Sequence, residues 1–448
     1  MGAKTLIKNI QIVSEGIINT GDVLIEGMFI KLIGNEIDDD SAIVIDGTGK
    51  FLIPGIIDGQ VHFREPGLTH KADFYSESRA AVAGGVTSFI DMPNTIPNVL
   101  NLAALEEKNK LASVKSLANY GFFLGVNGDN LEEVLKLDTT SLLAVSDDGL
   151  YFTKKGNLLA DNPDTLERLL SNCKSIVAIH SEKEQIVEAN EELFREKYGD
   201  NIPIECHPLI RSEEACYAST KNAIAIATRH NARLHILHLT TEAETHLFRN
   251  DIPLEQKNIT TEVSVHHLWF TDKDYARLGT LIKWNPAIKT DKDKKGLLKA
   301  LIDDRIDIVT TDHAPHTLEE KQKSYFQSMS GAPIIQFSLN IMLEFFRQGQ
   351  ISLEKIVQKM SHNPAILYGI QKRGFIREGY FADLAIVDLN AEWTVSKECI
   401  LSKCGWSPLE GTTFHSKVTH TFVNGHLVFN NGQIDDAIKG LPLTKESK

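Results

Sequence analysis

Long apolar runs are missing from this chain: no stretch approaches the roughly 18 consecutive apolar residues that a membrane-spanning helix requires. Paired cysteines are missing too. The five cysteines (Cys173, Cys206, Cys216, Cys399, Cys404) are odd in number and contain no Cys-x-x-Cys pair, so they read as reduced thiols and not as a disulfide framework. Positive charge is scarce: 47 Lys and Arg face 60 Asp and Glu, a net −13, which argues against a nucleic-acid or anionic-membrane surface. The start, "MGAKTLIKNIQIVSEG", lacks the apolar core of a signal peptide, and Leu6 stands where a myristoylation signal wants Ser or Thr. These absences together predict a cytoplasmic protein. An anionic small substrate stays open, provided arginines are placed locally to hold it.

What is there is ordinary globular composition, 42% hydrophobic and 24% charged over 448 residues, enough for a large domain and a smaller one. Both ends read as short strands with turn punctuation, "TLIKNIQIV" and "GDVLIEGMFIKLIG" at the start and "ADLAIVDL" and "KVTHTFVNGHLVF" near the finish. Asn-Gly between two apolar runs in "FVNGHLV" is a strong hairpin signal. We therefore expect a small β-sandwich-like domain built from residues 1–53 and 375–448. The middle, 54–374, alternates apolar β-rich runs with helix-like segments such as "DFYSESRAAVAGG" and "SEEACYASTKNAIAIATRH". Eight such runs over about 300 residues is the pattern and size of an α/β protein of the (β/α)₈ TIM-barrel type. A doubly wound open sheet alternates similarly, but here polar residues recur at the strand ends. They include His62, Asn94, Asp147 and Asp148, His180, His238, and Asp312 with His313. A barrel gathers such residues at one mouth, where an open sheet would spread them along an edge.

Singly, each of these has a plain reading as a core or turn residue, and "SDDG" around Asp148 is a good turn in its own right. As a set, imidazoles and carboxylates at the same end of several strands are what a nitrogen- and oxygen-ligated zinc site needs. His235 differs from His238 by an odd number and is expected to face the helical shell as a structural residue; His230 suits a helix C-terminus. His266 and His267 are adjacent, so only one can face the axis, and both are left out of the ligand set. Asp312, at the end of strand eight, could both touch a metal and take a proton from water, a combination suited to hydrolysing an amide.

The stretches "PGIIDGQVHFREPG", "DMPNTIPN", "VAIHSE", "HILHL", "WNPAIK" and "TTDHAPHTLEEK" together resemble the dihydroorotases of the amidohydrolase superfamily, over nearly the whole chain. The resemblance implies a zinc-dependent barrel enzyme that interconverts N-carbamoyl-L-aspartate and L-dihydroorotate in pyrimidine synthesis, with a homodimer as the family expectation. By position it implies His62 and Asp312 at one metal, His180 and His238 at the other, and Asp148 as the bridge, with Lys154 or Lys155 as a modified-lysine alternative. Asp312 would be the proton shuttle, while Arg64, Asn94, Asn285 and His316 would contact the carboxylate-bearing substrate. Two departures stand out. Gln60 replaces the family's first histidine, so the first metal is expected to be held less tightly, and "SGAPIIQFSL" (330–339) matches the family's substrate-side loop only loosely. The competing readings are a hydantoinase- or allantoinase-like hydrolase, and a catalytically silent homologue that serves as a structural partner.

Overall fold

In the computed structural model, residues 4–147, 159 and 162–445 are described; Asp148, Lys154 and Lys155 lie outside them. The chain begins with β1 (Lys4–Ser14), β2 (Ile17–Glu26) and β3 (Phe29–Gly34), which pair antiparallel in sequence. Next come β4 (Ile43–Asp46) and β5 (Phe51–Pro54), both parallel to β1. The apolar run beginning at Phe51 then divides. Gly55 separates β5 from β6 (Ile56–Val61), the first barrel strand.

The barrel continues with β7 (Val86–Asp91), β8 (Asn119–Phe122), β9 (Leu124–Gly125), β10 (Ala144–Ser146) and β11 (Ile176–Ile179). It ends with β12 (Leu234–Ile236), β13 (Ile259–Ser264) and β14 (Ile308–Thr310). All neighbouring pairs are parallel, and Phe123 alone separates β8 from β9, which together fill one strand position. Closure falls between the last strand and the first, where the His62 amide donates to the His313 carbonyl at 2.8 Å. One face of the strands contributes Ile90, Phe123, Ala178 and Ile308 to an inner cluster capped by Tyr368, from the helix Asn363–Tyr368. Alternate residues, among them Phe89, Val177, Val263 and Val309, pack outward with the helices, as the period of two dictates. The expected helices form at Phe74–Ala83 and Glu213–His230; the first starts in a capping box between Asp73 and Ser76.

After the barrel, β15 (Leu384–Asp388) lies between β5 and β18 (Lys417–Val423), with a short β16–β17 ladder (Trp393–Thr394, Thr413–Phe414) intervening in sequence. β19 (His426–Asn430) and β20 (Gln433–Ile434) complete a single nine-stranded sheet made from both chain ends. The Asn-Gly signal is realised: Asn424 and Gly425 join β18 to β19 with φ of 50° and 75°. Gly425 is sterically required as well, since a Cβ there would lie 2.0 Å from the Gly27 carbonyl oxygen. The final stretch departs from the expected small unit. Leu443 donates to the Tyr120 carbonyl at 2.7 Å, so the chain end runs beside barrel strand β8. Among the described residues no helix is long and apolar enough to cross a membrane, and all five cysteines are free.

Candidate active site

The end of β6 supplies His62, which is buried and bridges two neighbours. Its Nδ1 lies 2.9 Å from Asn94 Oδ1, beyond the end of β7, and its Nε2 lies 3.0 Å from Asp312 Oδ1, beyond β14. An amide oxygen can only accept, so Nδ1 carries the proton and Nε2 presents its lone pair to the site. Burial pushes the Asp312 carboxyl up to about 8, against the opposing pull of His180 and Arg64. With no cation beside it, a protonated Asp312 donates to that lone pair.

Across the mouth, His180 follows β11. Asp147 Oδ1 accepts from both its ring Nδ1 at 2.8 Å and its backbone amide at 3.2 Å, so Nδ1 carries the proton and Nε2 the lone pair. The His238 ring centroid is 4.9 Å from that of His180, and the His238 Nδ1 is buried with no hydrogen-bond partner among the described residues. Imidazoles whose second nitrogen is tied to an acceptor are oriented as metal ligands are. Arg64, His238 and Asp312 all take positive φ (68°, 32° and 46°), backbone strain of the kind that gathers at functional sites.

Gln60 is fully buried, and among the described residues neither its side-chain amide nitrogen nor its side-chain oxygen has a hydrogen-bond partner. A buried amide left unpaired costs about 1–3 kcal/mol, so this position favours an occupant that the protein itself does not provide. Among the described residues no three His, Cys, Asp or Glu side chains form a complete metal centre. What they form is two pairs, His62 with Asp312 and His180 with His238. The donor chemistry fits a metal: imidazole nitrogens, the Asp312 carboxyl and, among the described residues, an unpaired Gln60 amide oxygen and an unpaired His238 nitrogen. The bridge assigned to Asp148 lies outside the described residues.

His62, Arg64, Asn94, His180, Asn285 and Asp312 line one cavity of about 300 Å³. His316 stays out of it. It is buried behind Arg64, with Nδ1 3.0 Å from Lys71 Nζ and Nε2 3.0 Å from the Ser330 carbonyl. Arg64 is held from that side, its Nε donating to the Pro315 carbonyl at 3.1 Å and its Nη2 lying 3.1 Å from His316 Nε2. His235 requires a correction. It does not face the helical shell: its ring contacts Thr260 Oγ1 at 2.8 Å and Glu262 Oε2 at 3.1 Å and packs edge-on to Tyr368, the inner plug. Odd-number alternation from His238 fails because β12 ends at Ile236 and His238 has already turned into the left-handed region. His266 and His267 lie on a helical turn, Val265–Trp269, and both are buried.

Several contributions had no signal in the sequence. Asp147 is legible as a strand-end carboxylate, but its hold on His180 is not. Lys108 reads as a helix-surface lysine, yet it is buried, paired with Asp91 at 2.6 Å and bonded to the Met92 carbonyl at 2.7 Å, beside the strand end that carries His62. Lys283 and Trp284 also line the cavity.

The family model for the amidohydrolase family matches residues 51–428. A dihydroorotase of Methanosarcina acetivorans is 34% identical over 417 residues, covering 90% of this chain and 88% of the relative. The dihydroorotase of Pyrococcus abyssi is 31% identical over 424 residues, covering 94% of each chain. Among solved structures, an L-hydantoinase (dihydropyrimidinase) from Arthrobacter aurescens superposes with a TM-score of 0.90 at 25% identity, over 99% of this chain and 100% of that one.

Proposed function

The chain belongs to the amidohydrolase family, and from that premise we propose that it is a zinc-dependent dihydroorotase, interconverting N-carbamoyl-L-aspartate and L-dihydroorotate. The observation that carries this reading is the placement of Arg64: a buried guanidinium in the same small cavity as the His62–Asp312 and His180–His238 pairs. A guanidinium fork grips a carboxylate, so the substrate has one beside its scissile amide.

Zinc held at the His62–Asp312 and His180–His238 pairs would supply Lewis acidity to the ring carbonyl and bring the ionisation of water toward neutral pH. The protein's own groups do the rest. Arg64 holds the substrate carboxylate, and Asn94, while fixing His62, presents its amide on the cavity surface. In ring opening, Asp312, which a bound cation would keep ionised, takes the proton of the attacking water as the water oxygen bonds to the carbonyl carbon. It then delivers a proton to the ring nitrogen as the C–N bond breaks, leaving a carboxylate and a ureido group. Reversal closes the ring. Asn94 and Asp147 keep the two imidazoles oriented throughout. We further propose one firmly held ion beside His180 and His238, a weaker one beside His62 and Gln60, and a cytoplasmic homodimer.

The hydantoinase reading has the structural neighbours in its favour, but a neutral hydantoin offers Arg64 nothing to hold. The test is a steady-state assay of zinc-reloaded protein on dihydroorotate and on an uncharged hydantoin, with chelator-stripped protein as blank. Zinc-dependent turnover of dihydroorotate, with much slower hydantoin turnover, is expected. Comparable rates on both would support the hydantoinase reading. No turnover by a folded, zinc-bearing protein would support the silent partner.

A further inference from the structure

One wall of the cavity, Phe326 and Ser328–Gly331, comes from the irregular stretch after β14. Such a stretch over an active site is usually a candidate for a moving lid. Here two buried lysines grip it by its backbone. Lys283 Nζ donates to the carbonyls of Tyr325 at 2.6 Å and Ser328 at 2.8 Å. Lys321 Nζ, fully buried, donates to the carbonyls of Met329 and Gly331, both at 2.8 Å, and weakly to Lys283 at 3.2 Å. The Gly331 amide returns a bond to the Lys283 carbonyl at 2.8 Å, and the Ser330 carbonyl accepts from His316, the residue behind Arg64. Four consecutive carbonyls, Ser328 to Gly331, are therefore held by side chains.

Neither ammonium has a carboxylate partner among the described residues, and burial pushes both below the ordinary lysine range, Lys283 to about 7. An uncompensated buried cation is costly, and methionine of similar volume would remove that cost. Stability alone does not explain two such lysines on one loop.

We propose that Lys321 and Lys283 are positioning residues, which hold the 325–331 segment as a fixed wall of the substrate cavity and keep it from acting as a mobile lid. The effect on function rests on the dihydroorotase reading; the effect on the wall does not. A fixed wall fixes the cavity's shape, and the His316 ring that donates to Ser330 lies against Arg64. Lys321 touches no cavity surface, so its loss should loosen substrate binding more than it slows chemistry.

The experiment compares zinc-loaded wild type with Lys321→Met and Lys321→Gln. It reads KM and kcat for dihydroorotate, thermal midpoint, and amide hydrogen exchange over residues 325–331. For Lys321→Met we expect KM to rise about tenfold, kcat to change by no more than about threefold, exchange over 325–331 to quicken, and the midpoint to hold or rise. Glutamine keeps two N–H donors and no charge, so Lys321→Gln should recover most of the loss. Unchanged KM and exchange in Lys321→Met would overturn the proposal. So would a glutamine variant as impaired as the methionine one, which would assign the effect to charge. Should Lys321→Met fail to fold, Lys283→Gln reads the same exchange and KM at the other anchor. If the wild type itself leaves dihydroorotate untouched, the functional reading fails alone, and the exchange measurement still decides whether the wall is pinned.

Discussion

Two walls of one cavity are built on opposite principles. On the strand-end wall, His62 and His180 carry the chemistry, and acceptors stand behind them: Asn94 Oδ1 at 2.9 Å and Asp147 Oδ1 at 2.8 Å. On the loop wall the lining segment is held by its backbone carbonyls, which accept from Lys283 at the cavity edge and from the fully buried Lys321. The first arrangement leaves nitrogen lone pairs pointing inward. The second surrounds Arg64 with N–H donors, and Lys71 is paired to Glu320 at 2.9 Å as the local carboxylate. A hydrolytic centre and an anion-holding surface thus meet across about 300 Å³. The comparison teaches that a site's reacting wall is held by orienting side chains, and its recognising wall by orienting backbone.

Asp312→Asn tests the reacting wall most severely. It removes the proton carrier while keeping a side chain of the same size beside His62. We expect kcat to fall by roughly 10²–10⁴-fold with a much smaller change in KM. A variant that kept most of its turnover would move the proton transfer elsewhere and break the division of labour between the walls.

The strand-end wall is itself uneven, and metal affinity should show it. Asp147→Asn weakens the carboxylate that orients His180, and about 10–100-fold is a fair expectation for the loss of such a partner. Gln60→His works in the opposite direction at the other pair, placing an imidazole where a buried amide has both atoms unpaired among the described residues. Zinc titration with metal analysis should show tighter binding and higher stoichiometry for Gln60→His. An unaltered stoichiometry would mean that residue 60 does not face the metal pair.

The two walls were unequally legible in the sequence. His62, His180, His238 and Asp312 follow apolar runs, and their place just past the strand ends carries them to the barrel mouth. The reading failed where periodicity ends: His235 was turned the wrong way because β12 stops at Ile236, and a positive φ at His238 resets the direction. His316 was expected beside the substrate and lies behind Arg64 instead. The loop wall left almost no trace. A lysine that donates to backbone carbonyls has no fixed spacing and no partner residue type to find, so Lys283 and Lys321 look like any surface lysine until the fold buries them. Asn94 was found, though its contact with His62 was not, since the two are 32 positions apart.

The smallest effect concerns the charge on the loop wall. Burial brings the Lys283 ammonium from an ordinary value near 10.5 down to about 7. Below pH 7 both folded and unfolded chains carry that proton, and the fold bears the full cost of burying it. Between pH 7 and about 10.5 the unfolded chain still binds the proton while the folded one has released it, so stability from this group rises with pH. Lys283→Met has no such group. The stability of wild type relative to Lys283→Met should therefore increase from pH 6.5 to pH 9, by at most about 1.4 kcal/mol per pH unit. Thermal midpoints of both proteins across that range measure it, since groups common to both largely cancel. A flat difference would mean that water reaches the ammonium, and that the loop wall is less closed than its four held carbonyls imply.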